Sequence, residues 1–138
     1  MGKIFTTHEE VRKMVESKFG KTDNYLVVFK YNNPVKSIAK LFLNSLYAAT
    51  DSARNFILYF DNQGIHEKEI SFTDKSDFLL IPWNEIEDFE IKDKGNKIYL
   101  DINHLGKVYS YVIEFNDKLL KGNRERYQNL NKNHFYKN

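Results

Sequence analysis

The sequence predicts an α+β chain that is mainly β: a small antiparallel barrel of seven strands, with a helix at each end and another between the first two strands. Three observations carry this. Between residues 55 and 115, short runs of β-branched and aromatic residues are separated by turn signals, the pattern of an antiparallel meander. The run Phe78-Leu-Leu-Ile-Pro-Trp-Asn-Glu-Ile-Glu-Asp-Phe-Glu-Ile loses its two-residue period midway, which marks a corner. Outside the strands, apolar residues recur at three and four positions, the period of a helix.

Taken in order, Thr7-His-Glu-Glu10 has capping-box spacing, in which hydroxyl and carboxylate each satisfy a free backbone donor at a helix start. Val11, Met14, Val15 and Phe19 form one apolar stripe and Gly20 is the stop. Tyr25-Leu-Val-Val-Phe-Lys-Tyr31 is the first strand, ended by the turn residues Asn32-Asn33-Pro34. From Val35 the period becomes helical through Ile38, Leu41, Phe42, Leu46 and Ala49, with Lys36, Lys40 and Asn44 along another side. Its apolar arc is broad, because Ala39, Leu43 and Tyr47 extend it, so a helix over residues 35–49 either packs on two sides or leaves one exposed.

Strands follow over residues 55–60, 65–72 and 78–83, the first two joined by Asp61-Asn-Gln-Gly64. Ile86 stands three positions before Phe89, so the alternation slips near Glu87-Asp88, as a bulge would require. Asp93-Lys-Gly-Asn96 turns into Ile98, Leu100 and Ile102, whose alternation with Lys97, Tyr99 and Asp101 predicts one core face. After His104-Leu-Gly106, Tyr109, Tyr111, Ile113 and Phe115 alternate with Ser110 and Glu114. Leu119, Leu120, Tyr127 and Leu130 suit one helix face. Glycine inside a helix costs about 1 kcal/mol relative to alanine, so Gly122 limits the helix to residues 123–132, with Asn123 as its cap.

A chain of 138 residues, 41% apolar and 15% aromatic, fits one domain over residues 1–138 with an aromatic core. The absence of cysteine excludes disulfides, thiolate metal sites and cysteine nucleophiles. The first residues lack the apolar run of a signal peptide, and no segment has the roughly 18 apolar residues of a membrane span. A cytoplasmic protein is the expectation. With 17 Lys against 4 Arg, and 15 Asn, the composition has the bias of an AT-rich coding sequence such as that of a low-GC bacterium. Net charge of +2 conceals segregation: residues 1–50 carry 8 basic and 4 acidic groups, 51–115 carry 7 and 13, and 116–138 carry 6 and 2. The basic ends are expected to dock on the acidic middle, and nucleic acid is not needed to explain them.

Chemistry is sparsely signalled. His8, His66, His104 and His134 are scattered without ligand spacing, and His66-Glu67 and His104 read as solvated turn residues; no metal is expected. Glu85, Glu87, Asp88 and Glu90 present carboxylates that the water side of a bent sheet explains better than acid–base catalysis does. No nucleophile elbow, phosphate loop or Ser-x-x-Lys pattern occurs. Trp83 reads as a core or rim anchor. Tyr99, Tyr109 and Tyr111 would stack on bases only from a basic face, which their acidic neighbours deny.

The order of strand, amphipathic insertion, hairpin, Ile81-Pro-Trp-Asn-Glu-Ile86 corner, hairpin pair and closing helix resembles the bacterial pleckstrin-homology-like (PH-like) domains. Phe56-Ile-Leu-Tyr-Phe-Asp-Asn-Gln-Gly-Ile resembles their first full hairpin. The resemblance covers residues 24–135, leaving residues 1–22 as a helical extension. It implies a seven-stranded bent barrel capped by the C-terminal helix and a binding or scaffold role, and it transfers no site residue. The first strand hairpin lacks the Lys-x-Lys or Lys-x-Arg pair of a phosphoinositide site. The functional expectation is a non-enzymatic, cofactor-free module that binds a protein partner, another copy of itself included, through a surface of Lys36, Lys40, Leu43, Tyr47 and Trp83. The alternative is peripheral association with anionic lipid at the inner face of the membrane through Lys36 and Lys40, helped by Lys118, Lys121, Arg124 and Arg126. A small-ligand carrier or enzyme comes third and requires an enclosed pocket.

Overall fold

The computed structural model describes residues 7–31, 53–70, 76–116 and 118–137. Helix α1 (His8–Phe19) precedes β1 (Tyr25–Tyr31), β2 (Ala53–Asp61), β3 (Gly64–Glu69), β4 (Leu79–Pro82), β5 (Ile86–Asp93), β6 (Ile98–His104) and β7 (Lys107–Ile113). Helix α2 (Asn123–Lys132) follows. The seven strands form one antiparallel sheet in the order β4-β3-β2-β1-β7-β6-β5. The helix expected over residues 35–49, with Lys36, Lys40, Leu43 and Tyr47, lies outside the described residues.

One apolar cluster gathers Leu26 and Val28 of β1, Phe56, Leu58 and Phe60 of β2, Ile65, Ile81, Leu100, Tyr111 and Ile113. Phe89 and Ile91 of β5 pack against that cluster, and Tyr127 and Leu130 of α2 belong to it. Strands β4 and β5 stand at opposite ends of the strand order yet share this cluster, so the sheet curls into a partly open barrel. On the outer face of β1 and β2, Tyr25, Val27, Ile57 and Tyr59 pack with Val11 and Val15 of α1 and with Leu120. Burial on both faces is the physical reason that β1 and β2 read as unbroken apolar runs. Phe19 stacks on Tyr59 with ring centroids 3.8 Å apart and meets His66 and Phe78 edge-on, contacts worth about 0.5–1.5 kcal/mol per aromatic pair.

The capping box is present in full: Glu10 N–H donates to Thr7 Oγ1 at 3.2 Å, and Thr7 N–H donates to Glu10 Oε1 at 2.9 Å. The slip in β5 is a register shift between Ile86 and Asp88 against β6. Strand β6 departs from its expected single core face, because Tyr99 and Asp101 are buried as well as Ile98, Leu100 and Ile102. Across from them, Val112 and Ser110 of β7 are buried too. Burial pushes the Asp101 carboxyl above the usual carboxylate range; the Ser110 hydroxyl at 2.7 Å opposes this, and Glu90 and Asp88 reinforce it.

At the corner, a 3-10 turn over Trp83–Glu85 joins β4 to β5. The Trp83 indole donates to Asp61 O at 2.7 Å, and its backbone N–H donates to Gln63 O at 3.1 Å. Gly64 makes this approach possible: a Cβ there would lie 2.1 Å from Ile81 O. The acidic run is more than a water face. Glu85 contacts His104 Nε2 at 2.8 Å, and Glu87 Oε1 accepts the Gly106 N–H at 2.8 Å, so both hold the β6–β7 turn.

Helix α2 is capped by Gly122 at φ 84°, and Asn123 is its first, fully buried residue rather than its cap. Beyond the helix, His134, Phe135 and Tyr136 all take left-handed backbone at φ 55°, 56° and 60°. For residues with a Cβ this costs roughly 1–2 kcal/mol each. Phe135 is nonetheless buried, between Phe60 and Phe89 with centroids 5.2 and 5.4 Å away, and near Tyr127 at 6.0 Å.

Candidate functional site

Two polar clusters and one apolar edge hold the chemistry of the described residues. Strand β1 pairs with β7 only through Phe29↔Val112 and Lys30↔Tyr111. Strand alternation points Lys30 to the same side as Leu26 and Val28, into the barrel. There Lys30 Nζ lies 2.7 Å from Glu67 Oε2, and the Tyr111 hydroxyl donates to the same oxygen at 2.6 Å. The rings of Tyr109, Phe56 and Tyr111 surround the ammonium at 4.6, 4.9 and 5.6 Å, an arrangement that stabilises a cation through the ring quadrupoles. Burial holds the Tyr111 hydroxyl well above the usual phenol range, reinforced by the Glu67 charge, so it stays a proton donor. Nearby, Arg54 pairs with Glu69 at 3.2 Å and lies over Phe56.

The second cluster joins α2 to the other half of β1. Asn123 Oδ1 accepts the Val27 N–H at 3.0 Å, while Nδ2 donates to Val27 O at 2.8 Å and Glu114 O at 2.9 Å. Arg126 donates to Tyr25 O, Lys121 O and Asn123 Oδ1 at 3.0–3.1 Å, and its guanidinium lies 4.2 Å from the Tyr25 ring centroid. Desolvation lowers its pKa from the usual arginine value. A guanidinium so enclosed is structural. Arg126 therefore cannot join Lys118, Lys121 and Arg124 on a membrane-facing surface, although those three are exposed around a hollow at the start of α2.

Two histidine expectations need correction. His66 lies on β3, not on a turn, and is 7% exposed; its Nε2 is 3.0 Å from Asp61 Oδ1, and Phe19 of α1 covers its ring. Glu67 is 8% exposed rather than solvated, because β3 turns it inward toward Lys30. His104 stands at the end of β6 on Glu85. Among the described residues, no His, Asp and Glu group has the grouping to hold a metal ion. No described helix is long and apolar enough to cross a membrane.

Of the sequence-predicted surface, only Trp83 is described, and it is a rim anchor: half-buried, hydrogen-bonded to Asp61 O and edge-on to Phe89 at 5.5 Å. The exposed large apolar residues lie elsewhere: Leu105, 68% exposed, on the β6–β7 turn, and two neighbours in one strand. Leu79 is 63% exposed and Leu80 39%, both on β4, an edge of the sheet. Their signal is in the sequence, since Phe78-Leu-Leu-Ile has no polar residue where a half-buried strand would place one. The opposite edge, β5, exposes Glu87, Asp88, Glu90, Lys92 and Asp93. No protein-family model matches the chain, and no curated protein shows significant similarity to it.

Proposed function

We propose that this chain is a non-enzymatic interaction module of the PH-like kind, and that it docks an extended protein segment along β4. The PH-like reading is supported by the curled seven-stranded sheet, the β4–β5 corner and the C-terminal helix packed on the barrel core. The docking reading is carried by one observation: a four-residue edge strand with Leu79 and Leu80 exposed on its two faces. An edge strand offers unpaired N–H and C=O groups to an added strand, and its side chains supply the specificity. The β5 edge is guarded by charge, which opposes such pairing. A second copy of the chain is the simplest partner, because β4 would add to β4.

The test compares the parent chain with Leu80→Lys by light scattering across a concentration series, together with capture of partners from the native cell. Concentration-dependent association or partner capture that Leu80→Lys abolishes, with unchanged thermal stability, is expected. A parent that stays monomeric and retrieves no partner sensitive to Leu80→Lys overturns the reading.

A further inference from the structure

We infer that residues 134–137 form a strained plug that opens on its own, without unfolding the barrel, and uncovers an aromatic socket walled by Phe60, Phe89 and Tyr127. The inference goes beyond docking at β4 and rests on a different part of the molecule. Three consecutive residues with a Cβ hold left-handed backbone, which ordinarily occurs at single positions and is favoured at glycine. Such conformations persist only where the surroundings hold them. Here the hold is narrow. Phe135 is the one fully buried side chain of the turn; Tyr136 is half-buried against the edge of the same core, and His134 is exposed. Two backbone hydrogen bonds close it, Tyr136 N–H to Asn133 O at 3.1 Å and Lys137 N–H to His134 O at 3.0 Å.

The neighbouring helix is held differently. Arg126, Tyr127 and Leu130 anchor α2 through burial and, for Arg126, three hydrogen bonds, without any left-handed residue inside it. Strain concentrated beyond Asn133, against one buried ring, makes the turn a separate opening unit with lower stability than the core. When it leaves, Phe89 on edge strand β5 loses two covers: the Phe135 ring at 5.4 Å and the Lys137 ammonium at 5.8 Å. Phe60 loses its edge-on partner at the same moment.

The experiment is native-state hydrogen exchange on the full chain, reading the Tyr136 and Lys137 amides against those of the β6–β7 ladder, in the parent, His134→Gly and His134→Val. His134 is exposed, so these changes act on backbone preference and leave the socket intact. Glycine should raise protection at Tyr136 and Lys137 about fivefold. Valine, β-branched and hostile to left-handed backbone, should lower it several-fold and increase binding of the apolar dye ANS. In both variants the β6–β7 amides should stay as in the parent. If the two sets of amides move together, the turn melts only with the whole fold and the plug does not exist. Equal protection in all three chains overturns it too, since no strain would then be stored at His134.

Discussion

The two halves of β1 solve the same problem by different means. At its C-terminal end, Phe29 and Lys30 pair with β7 in the ordinary way, and the polar task there is to keep a charge inside the barrel. At its N-terminal end no β7 residue pairs with Tyr25 through Val28, and the side chains of α2 stand in for the missing strand. Asn123 copies a strand residue, offering one acceptor and one donor to the same Val27 peptide units. Arg126, a cation, is satisfied by neutral oxygens, whereas Lys30 takes a carboxylate. The difference follows from what each group replaces. The β1 acceptor Tyr25 O, left by the absent strand, suits one arm of a fork of N–H donors, while an ammonium enclosed by aromatic rings is balanced by a carboxylate.

The largest test removes the strand mimic. Asn123→Ala strips partners from Val27 N–H, Val27 O and Glu114 O, and each buried orphan costs roughly 1–3 kcal/mol. A loss of about 4 kcal/mol in urea unfolding is expected, and a loss below about 1 kcal/mol would mean that water replaces the amide and that the halves do not differ. Next comes the ion pair. Glu67→Ala leaves Lys30 uncompensated and should cost about 3 kcal/mol. The triple change Lys30→Met, Glu67→Leu and Tyr111→Phe removes the whole polar set and should return to within about 1 kcal/mol of the parent, measured in the same way. If the triple change is as damaging as the single one, the cluster holds shape rather than balances charge.

The smallest effect sharpens the comparison with a third arrangement, a buried carboxylate that, among the described residues, is met by a hydroxyl. Asp101 is hydrogen-bonded to Ser110, and burial raises its pKa. The folded chain therefore holds the proton more tightly than the unfolded one, so stability falls as pH rises from the unfolded value of about 4 through the raised folded value. Asp101→Asn should remove that part of the pH dependence and stabilise the chain more at pH 7 than at pH 4. Equal effects at both pH values would show that Asp101 carries no such penalty.

Much of the fold is legible in local pattern. The capping box at Thr7, the first strand at Tyr25–Tyr31, the slip at Glu87-Asp88 and the last helix at Asn123–Lys132 follow from spacings within a few residues. The candidate site is much less so. Glu67 beside a histidine reads as solvated until β3 is paired on both sides, and Asn123 reads as a cap until β1 and β7 separate and leave it a gap to fill. Leu79 and Leu80 stand in an apolar run that marks an unusual strand, but such a run does not reveal that its strand is the last in the sheet.

By itself, then, the sequence determined the order of the described strands and helices, to within a few residues, and where the chain bends, since these depend on capping, turn chemistry and the two-residue period. Only the tertiary structure decided which polar residues are buried and which apolar ones are bare. Lys30 meets Glu67 across 37 positions, Val27 meets Asn123 across 96, and Tyr25 meets Arg126 across 101. Burial is set by neighbours, and these neighbours come together only when the sheet curls and α2 docks on β1.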